Sequence, residues 1–138
     1  VTVKKDLPGF LANRLQHALS REAFAMVDAG ICTPEDIDKA VRYGFGFRYI
    51  AAGPAMQRDH AGLEIHAAGG TTIYPTLNNS ATIAKCLSDR VESGKFGMKT
   101  GEGFYSWTSE SIKAERDRYQ DALREGLKII QKELPKIK

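Results

Sequence analysis

From Phe10 to Ala29 the apolar residues Leu11, Leu15, Ala18, Leu19, Ala23, Phe24 and Val27 recur at spacings of three and four. That interval gathers side chains onto one broad face of a helix, whereas a strand needs a repeat of two. No alternating stretch longer than the first five residues occurs anywhere in the chain. The pattern therefore predicts an all-α fold. At 138 residues the chain is one domain, able to bury about two thirds of its extended surface in a single core.

The remaining helices are bounded by residues with specific backbone chemistry. Gly30 ends the first. "TPEDIDKAVRYG" opens a second, with Thr33 as N-cap, Pro34 at the first helical position, acids in the first turn and Gly44 as stop. Pro54, after the Gly53-Pro54 turn, starts a third that runs to about Ala68, where Gly69-Gly70 terminates it. After an irregular stretch to about Asn78, a fourth spans Asn79 to Ser93 with Gly94 behind it. "KFGMKTGEGFYSW" is a glycine-rich loop. Thr108 caps a long, charged last helix whose Ile112, Tyr119, Leu123, Leu127, Ile130 and Leu134 form one apolar stripe, and Pro135 closes it. Val1 to Lys5 reads as a short strand with nothing to pair with, and the chain reads as a piece of something longer.

Charge and cysteine content narrow the function classes. Lys+Arg 20 against Asp+Glu 17 gives a net +3, too small and too evenly spread an excess for nucleic acid. No apolar run approaches the roughly 20 residues of a membrane span, and no signal peptide is visible. A cytoplasmic protein is the expectation. Cys32 and Cys86 lie far apart without a CxxC pattern, so they read as reduced structural thiols.

Three groups of residues carry possible chemistry. His60 and Glu64 stand at i and i+4, with His66 following, but a metal needs three or four converging ligands, so no metal is expected. The loop "GMKTGEG", flanked by Lys95 and Lys99, offers backbone amides to an anion. It lacks the Walker spacing and the strand of a dinucleotide fold, and it equally reads as a turn before an aromatic anchor of Phe104, Tyr105 and Trp107. In "KKDLPGFLANRL" the chain turns at Pro8-Gly9 and sets Asn13 and Arg14 on the first turns of an apolar helix, with His17 one turn on. Asn13 either reaches back to the loop or presents its amide to a cleft; Arg14 reads first as a solvated charge.

Four motifs in series, "DLPGFLANRL", "EAFAMVDAGICTPEDIDKAVRYGFGF", "GPAMQRDHAGL" and "KFGMKTGEGFYSW", resemble in order and spacing the C-terminal domain of the 3-hydroxyacyl-CoA dehydrogenases over residues 1 to about 107. The resemblance implies the helical second domain of a two-domain NAD-dependent oxidoreductase. Its N-terminal Rossmann domain, absent from this chain, would carry most of the NAD contacts and a catalytic His-Glu pair. Residues 1–5 would then be the end of the linking strand, 10–107 the domain core and 108–135 an extra C-terminal helix. "GFGFRYIAAGP" and the charged tail look more like the branch that includes lambda-crystallin, L-gulonate dehydrogenase and the dehydrogenases of pyridine-derived acids.

In this family the asparagine of the P-G-F-x-x-N-R motif faces the active site, which here is Asn13. Its amide would orient the substrate's hydroxyl or carbonyl oxygen. Arg48 or Arg58 could hold a substrate carboxylate through a bidentate contact. The resemblance thus implies a domain that binds a hydroxy acid or acyl-CoA and forms a homodimer, in fatty acid or related metabolism, and that is inactive alone. A free-standing helical interaction module without catalysis is the alternative.

Overall fold

The computed structural model describes residues 1–132; Leu134 and Pro135, the expected end of the last apolar stripe, lie outside the described residues. The order of helices is α1 (Ala12–Asp28), α2 (Pro34–Lys39), α3 (Pro54–Ala61), α4 (Leu63–Ile73), α5 (Lys85–Glu92) and α6 (Ser109–Ile130). A π turn, Ala40–Phe45, and a 3-10 turn, Phe47–Ile50, follow α2, and a second 3-10 turn, Tyr74–Thr76, follows α4. Among the described residues there is no strand, and the only ladder pairs are isolated bridges, Gly97 with Glu102 and Glu102 with Ser106. The all-α expectation holds. Val1–Lys5 has no strand geometry, because no neighbouring described backbone offers it a ladder.

α1 begins two residues later than its apolar pattern. Gly9 turns the chain at φ +80°, Phe10 follows in left-handed backbone at φ +47°, and the Phe10 N–H donates to the Leu7 carbonyl at 3.0 Å. Two left-handed residues in succession cannot continue a right-handed helix, so the first turn starts beyond them. At its far end Gly30, at φ +68°, stops α1 as expected. Thr33 caps α2 by the expected chemistry: its hydroxyl accepts from the Asp36 N–H at 3.2 Å, and the Asp36 carboxylate accepts from the Thr33 N–H at 3.0 Å. Gly44 bends the π turn at φ −95°, ψ −116° but does not end the run cleanly.

Two helix boundaries depart from expectation. The third helix is two helices, split at Gly62, whose φ of +97° is open to glycine and strained for other residues. Gly69-Gly70 then lies inside α4, and Gly70 is buried with the Tyr74 ring 3.3 Å from where its Cβ would stand. The pair gives an aromatic ring room to pack instead of ending the helix. The fourth helix starts at Lys85, six residues late. Its first-turn N–H groups, of Lys85 and Cys86, donate to the two Asp28 oxygens at 2.6 and 2.7 Å, so the cap comes from the end of α1.

The packed centre lies between α1, α5 and the glycine-rich loop. Phe24 stacks on Phe104, ring centroids 5.1 Å apart, and the Arg90 guanidinium lies over the Phe104 ring, 4.5 Å from its centroid. Arg90 also donates to the Gly103 carbonyl at 3.0 Å and to the Cys86 carbonyl at 2.7 Å. Phe104 is thus the aromatic anchor that the loop was expected to supply. Gly103 is required there, because a Cβ would come within 2.7 Å of the Gly97 Cα. Tyr105 ties the loop to α2 through its hydroxyl, which donates to Asp38 at 2.6 Å. α3 and α4 pack on each other, and α6 on the Phe47–Ile50 turn.

Much apolar surface remains open. The chain exposes 11450 Å², where a folded monomer of its 15.2 kDa exposes roughly 7,100 Å². Among the described residues only Ala23 and Ala52 form buried apolar core. On α6, Tyr119, Leu123, Leu127 and Ile130 each stay more than half exposed, while Arg and Lys pair with acids three or four residues away on the polar side. From Tyr119 to Ile130 the stripe stands where the sequence predicts it, and the other described residues leave it open.

Candidate functional site

α1 carries the candidate site. Its first turn has neither a side-chain cap nor an acid, which leaves N–H groups at this end without side-chain partners. Asn13 sits on that turn, exposed, and its amide makes no hydrogen bond to a described residue. It does not reach back to the loop; Gly9 lies beside it, its Cβ position 3.7 Å from that of Asn13.

Two hollows run along α1. The first, 470 Å³, is lined by Pro8, Gly9, Arg14, His17, Ala18 and Arg21. The second, 790 Å³, lies between α1 and the segment from Asn78 to Leu87 and has Phe24, Ile83 and Leu87 among its apolar walls. His17 and Arg21 line both, so the two meet as one groove. Asn13, His17 and Arg21 follow at i, i+4 and i+8, which sets them in a row about 6 Å apart along the helix axis.

The electrostatics of the groove are uneven. No carboxylate lines the first hollow. Asp28 lines the second but is committed to capping α5. Burial alone would raise its carboxyl; the Cys86 and Lys85 N–H groups and the Cys86 thiol outweigh that and hold it below the usual carboxylate range. Cys86 responds oppositely: burial, then the Asp28 carboxylate, pushes its thiol up. A thiol so placed is a poor nucleophile.

The two arginines expected to hold a carboxylate stand elsewhere. Arg48 is exposed on the Phe47–Ile50 turn, where its carbonyl accepts from the Ala51 and Ala52 N–H groups at 3.0 and 3.1 Å. Arg58 is half-buried on α3. Neither lines the groove along α1, and the structure does not gather Asn13, Arg48 and Arg58 around one hollow. Gly62 separates His60 on α3 from Glu64 on α4, so the two no longer share a helix face, and His66 instead meets the Tyr74 hydroxyl at 3.4 Å. Among the described residues no three His, Cys, Asp or Glu side chains converge as a metal site. Arg21 lines both hollows and was not among the residues expected to bind substrate, although its spacing from Asn13 is readable in the sequence.

The sequence profile described as "3-hydroxyacyl-CoA dehydrogenase, C-terminal domain" matches residues 9–107. The 5-formyl-3-hydroxy-2-methylpyridine 4-carboxylate 5-dehydrogenase of Mesorhizobium japonicum is 39% identical over 127 residues, 90% of this chain and 41% of that protein. Human mitochondrial hydroxyacyl-coenzyme A dehydrogenase is 35% identical over 105 residues, 75% of this chain and 32% of that protein. The L-carnitine dehydrogenase of Nocardiopsis dassonvillei is 33% identical over 139 residues, 96% and 41% respectively. A crystal structure of a 5-formyl-3-hydroxy-2-methylpyridine 4-carboxylic acid 5-dehydrogenase, described as an NAD+-dependent dismutase, superposes with a TM-score of 0.86 at 36% identity, covering 97% of this chain and 43% of that one. The chain spans between about a third and about two fifths of the length of these relatives.

Proposed function

The chain belongs to the 3-hydroxyacyl-CoA dehydrogenase C-terminal domain family, and from that premise we propose that it is the substrate-binding and dimerisation domain of an NAD-dependent 3-hydroxyacyl-CoA or 3-hydroxy-acid dehydrogenase. The reaction class is oxidation of a secondary hydroxyl to a ketone, for which bound NAD would take the hydride and the base of the partner domain the hydroxyl proton. The observation that carries the reading is that, in a chain of this family, an exposed Asn13 amide with no hydrogen bond to another described residue stands one helical turn before His17, which lines the first hollow. Such an amide donates to the substrate oxygen and fixes the carbon that gives up hydride, a positioning role.

The described residues do not fit the dinucleotide itself, because they hold no strand and glycine turn leading into a helix. The reading assigns the cofactor, and the acid-base pair, to a Rossmann partner domain of the same protein. The uncovered apolar faces support association with that domain and with a second copy, since about 4,000 Å² beyond the expected surface is more than a standard interface buries.

In the protein carrying both domains, Asn13→Ala is expected to lower kcat at least tenfold while circular dichroism and the dimer mass stay unchanged. Unchanged turnover would remove Asn13 from the chemistry and favour the non-catalytic interaction module.

A further inference from the structure

We propose that Arg14, His17 and Arg21 hold the carboxylate of a hydroxy-acid substrate whose hydroxyl carbon lies at Asn13; the proposal rests on the function proposed above and places the anion on α1 instead of at Arg48 or Arg58. The first hollow is lined by these three nitrogen-bearing side chains and by Pro8, Gly9 and Ala18, so every charge on its wall is positive. Among the described residues no acid pairs with Arg14 or Arg21: the ion pairs lie on α2, α5, α6 and the glycine-rich loop. Two guanidinium groups two turns apart repel each other weakly in water, and an anion between them relieves that repulsion.

Geometry sets the class of ligand. The row Asn13, His17, Arg21 covers about 12 Å of helix axis. A small hydroxy acid with its oxygen at Asn13 brings its carboxylate about one turn along, to the level of Arg14 and His17. Arg21 closes the far side, where the second hollow opens towards Phe24, Ile83 and Leu87 with room for an apolar ring or chain. A guanidinium fork is suited to a planar carboxylate, to which it donates two parallel N–H bonds. The groove therefore offers cations for the acid and an apolar wall beyond, with the Asn13 amide one helical turn before His17 for the reacting oxygen.

The test uses the protein carrying both domains with NAD bound, titrated calorimetrically with 3-hydroxybutyrate and with its methyl ester. The wild type is expected to prefer the acid, and Arg21→Gln to lose about tenfold in affinity for the acid while binding the ester as the wild type does. Arg14→Gln should do the same; if it fails to fold, Arg21→Gln decides alone, with Arg21→Lys, which keeps the charge and loses the fork, expected to recover only part of the affinity for the acid. A wild type that binds acid and ester alike, or binds neither, overturns the proposal, as does an Arg21→Gln protein that loses both ligands equally. Asn13→Ala should weaken both ligands to the same degree. If it changes neither binding nor kcat while the arginine variants behave as expected, the positioning role fails and the anion groove stands.

Discussion

Replacing Phe104 by Leu tests whether the α1–α5–loop centre holds the fold as described. Leucine keeps most of the apolar volume and removes the ring, so two contributions are lost. The stack on Phe24, with centroids 5.1 Å apart and planes at 18°, is worth about 0.5–1.5 kcal/mol beyond its area. The Arg90 guanidinium at 4.5 Å from the centroid adds about 0.5–1 kcal/mol at a partly exposed site. The loss should thus be about 1–2.5 kcal/mol, read by urea unfolding at one fixed protein concentration so that association does not shift the midpoint. Pairing Phe104→Leu with Arg90→Met in a double-mutant cycle separates the cation–ring part from the hydrogen bonds that Arg90 makes to Gly103 and Cys86. A coupling energy of zero, with an additive double mutant, would show that the guanidinium is in place only to satisfy those carbonyls and that the ring adds nothing.

Two further outcomes are expected. Gly103→Ala should destabilise the glycine-rich loop by about 1–3 kcal/mol, the usual cost of overpacking, because its Cβ meets the Gly97 backbone and not a movable side-chain tip; thermal unfolding no different from wild type would refute that close approach. Burial first, then the hydrogen bond to Asp38, raises the Tyr105 hydroxyl to about 12. Since the folded value exceeds the unfolded value of 10.0, this contact stabilises fully below pH 10.0 and its contribution is lost as pH rises towards about 12. An absorbance titration of the tyrosines should accordingly show one phenolate that forms late, its midpoint moving part of the way back towards 10.0 in Asp38→Asn because burial remains.

Local chemistry was legible from the sequence, and long-range chemistry was not. Thr33 and Thr108 announce their helices because each cap is completed three residues away, by Asp36 and by Ser111. The start of α5 gave no such sign, since its cap is Asp28, a residue 57 positions earlier than Lys85. Gly69-Gly70 had the composition of a helix stop, but the Tyr74 ring that occupies the space beside Gly70 is a matter of packing. Gly62 lay between His60 and Glu64 in plain view, and only its positive φ turns one helix into two. At the candidate site, the row of Asn13, His17 and Arg21 follows from helical spacing alone. The separation of Arg48 and Arg58 from that row follows from the path of the chain through three turns, which no periodicity encodes.

The reach of Asp28 across to Lys85 and Cys86 also bears on the order in which the chain acquires structure. An eight-residue helix such as α5 is far too short to persist in water by itself, since nucleation is unfavourable and few propagation steps follow to offset it. With its opening amides held by the last turn of α1, α5 has no stable existence until α1 is complete to its final residue. Amide protons of the two helices should then be lost to solvent in one cooperative opening. The wall of the second hollow is made by both, so the groove does not precede the union of α1 and α5; it comes into being with it.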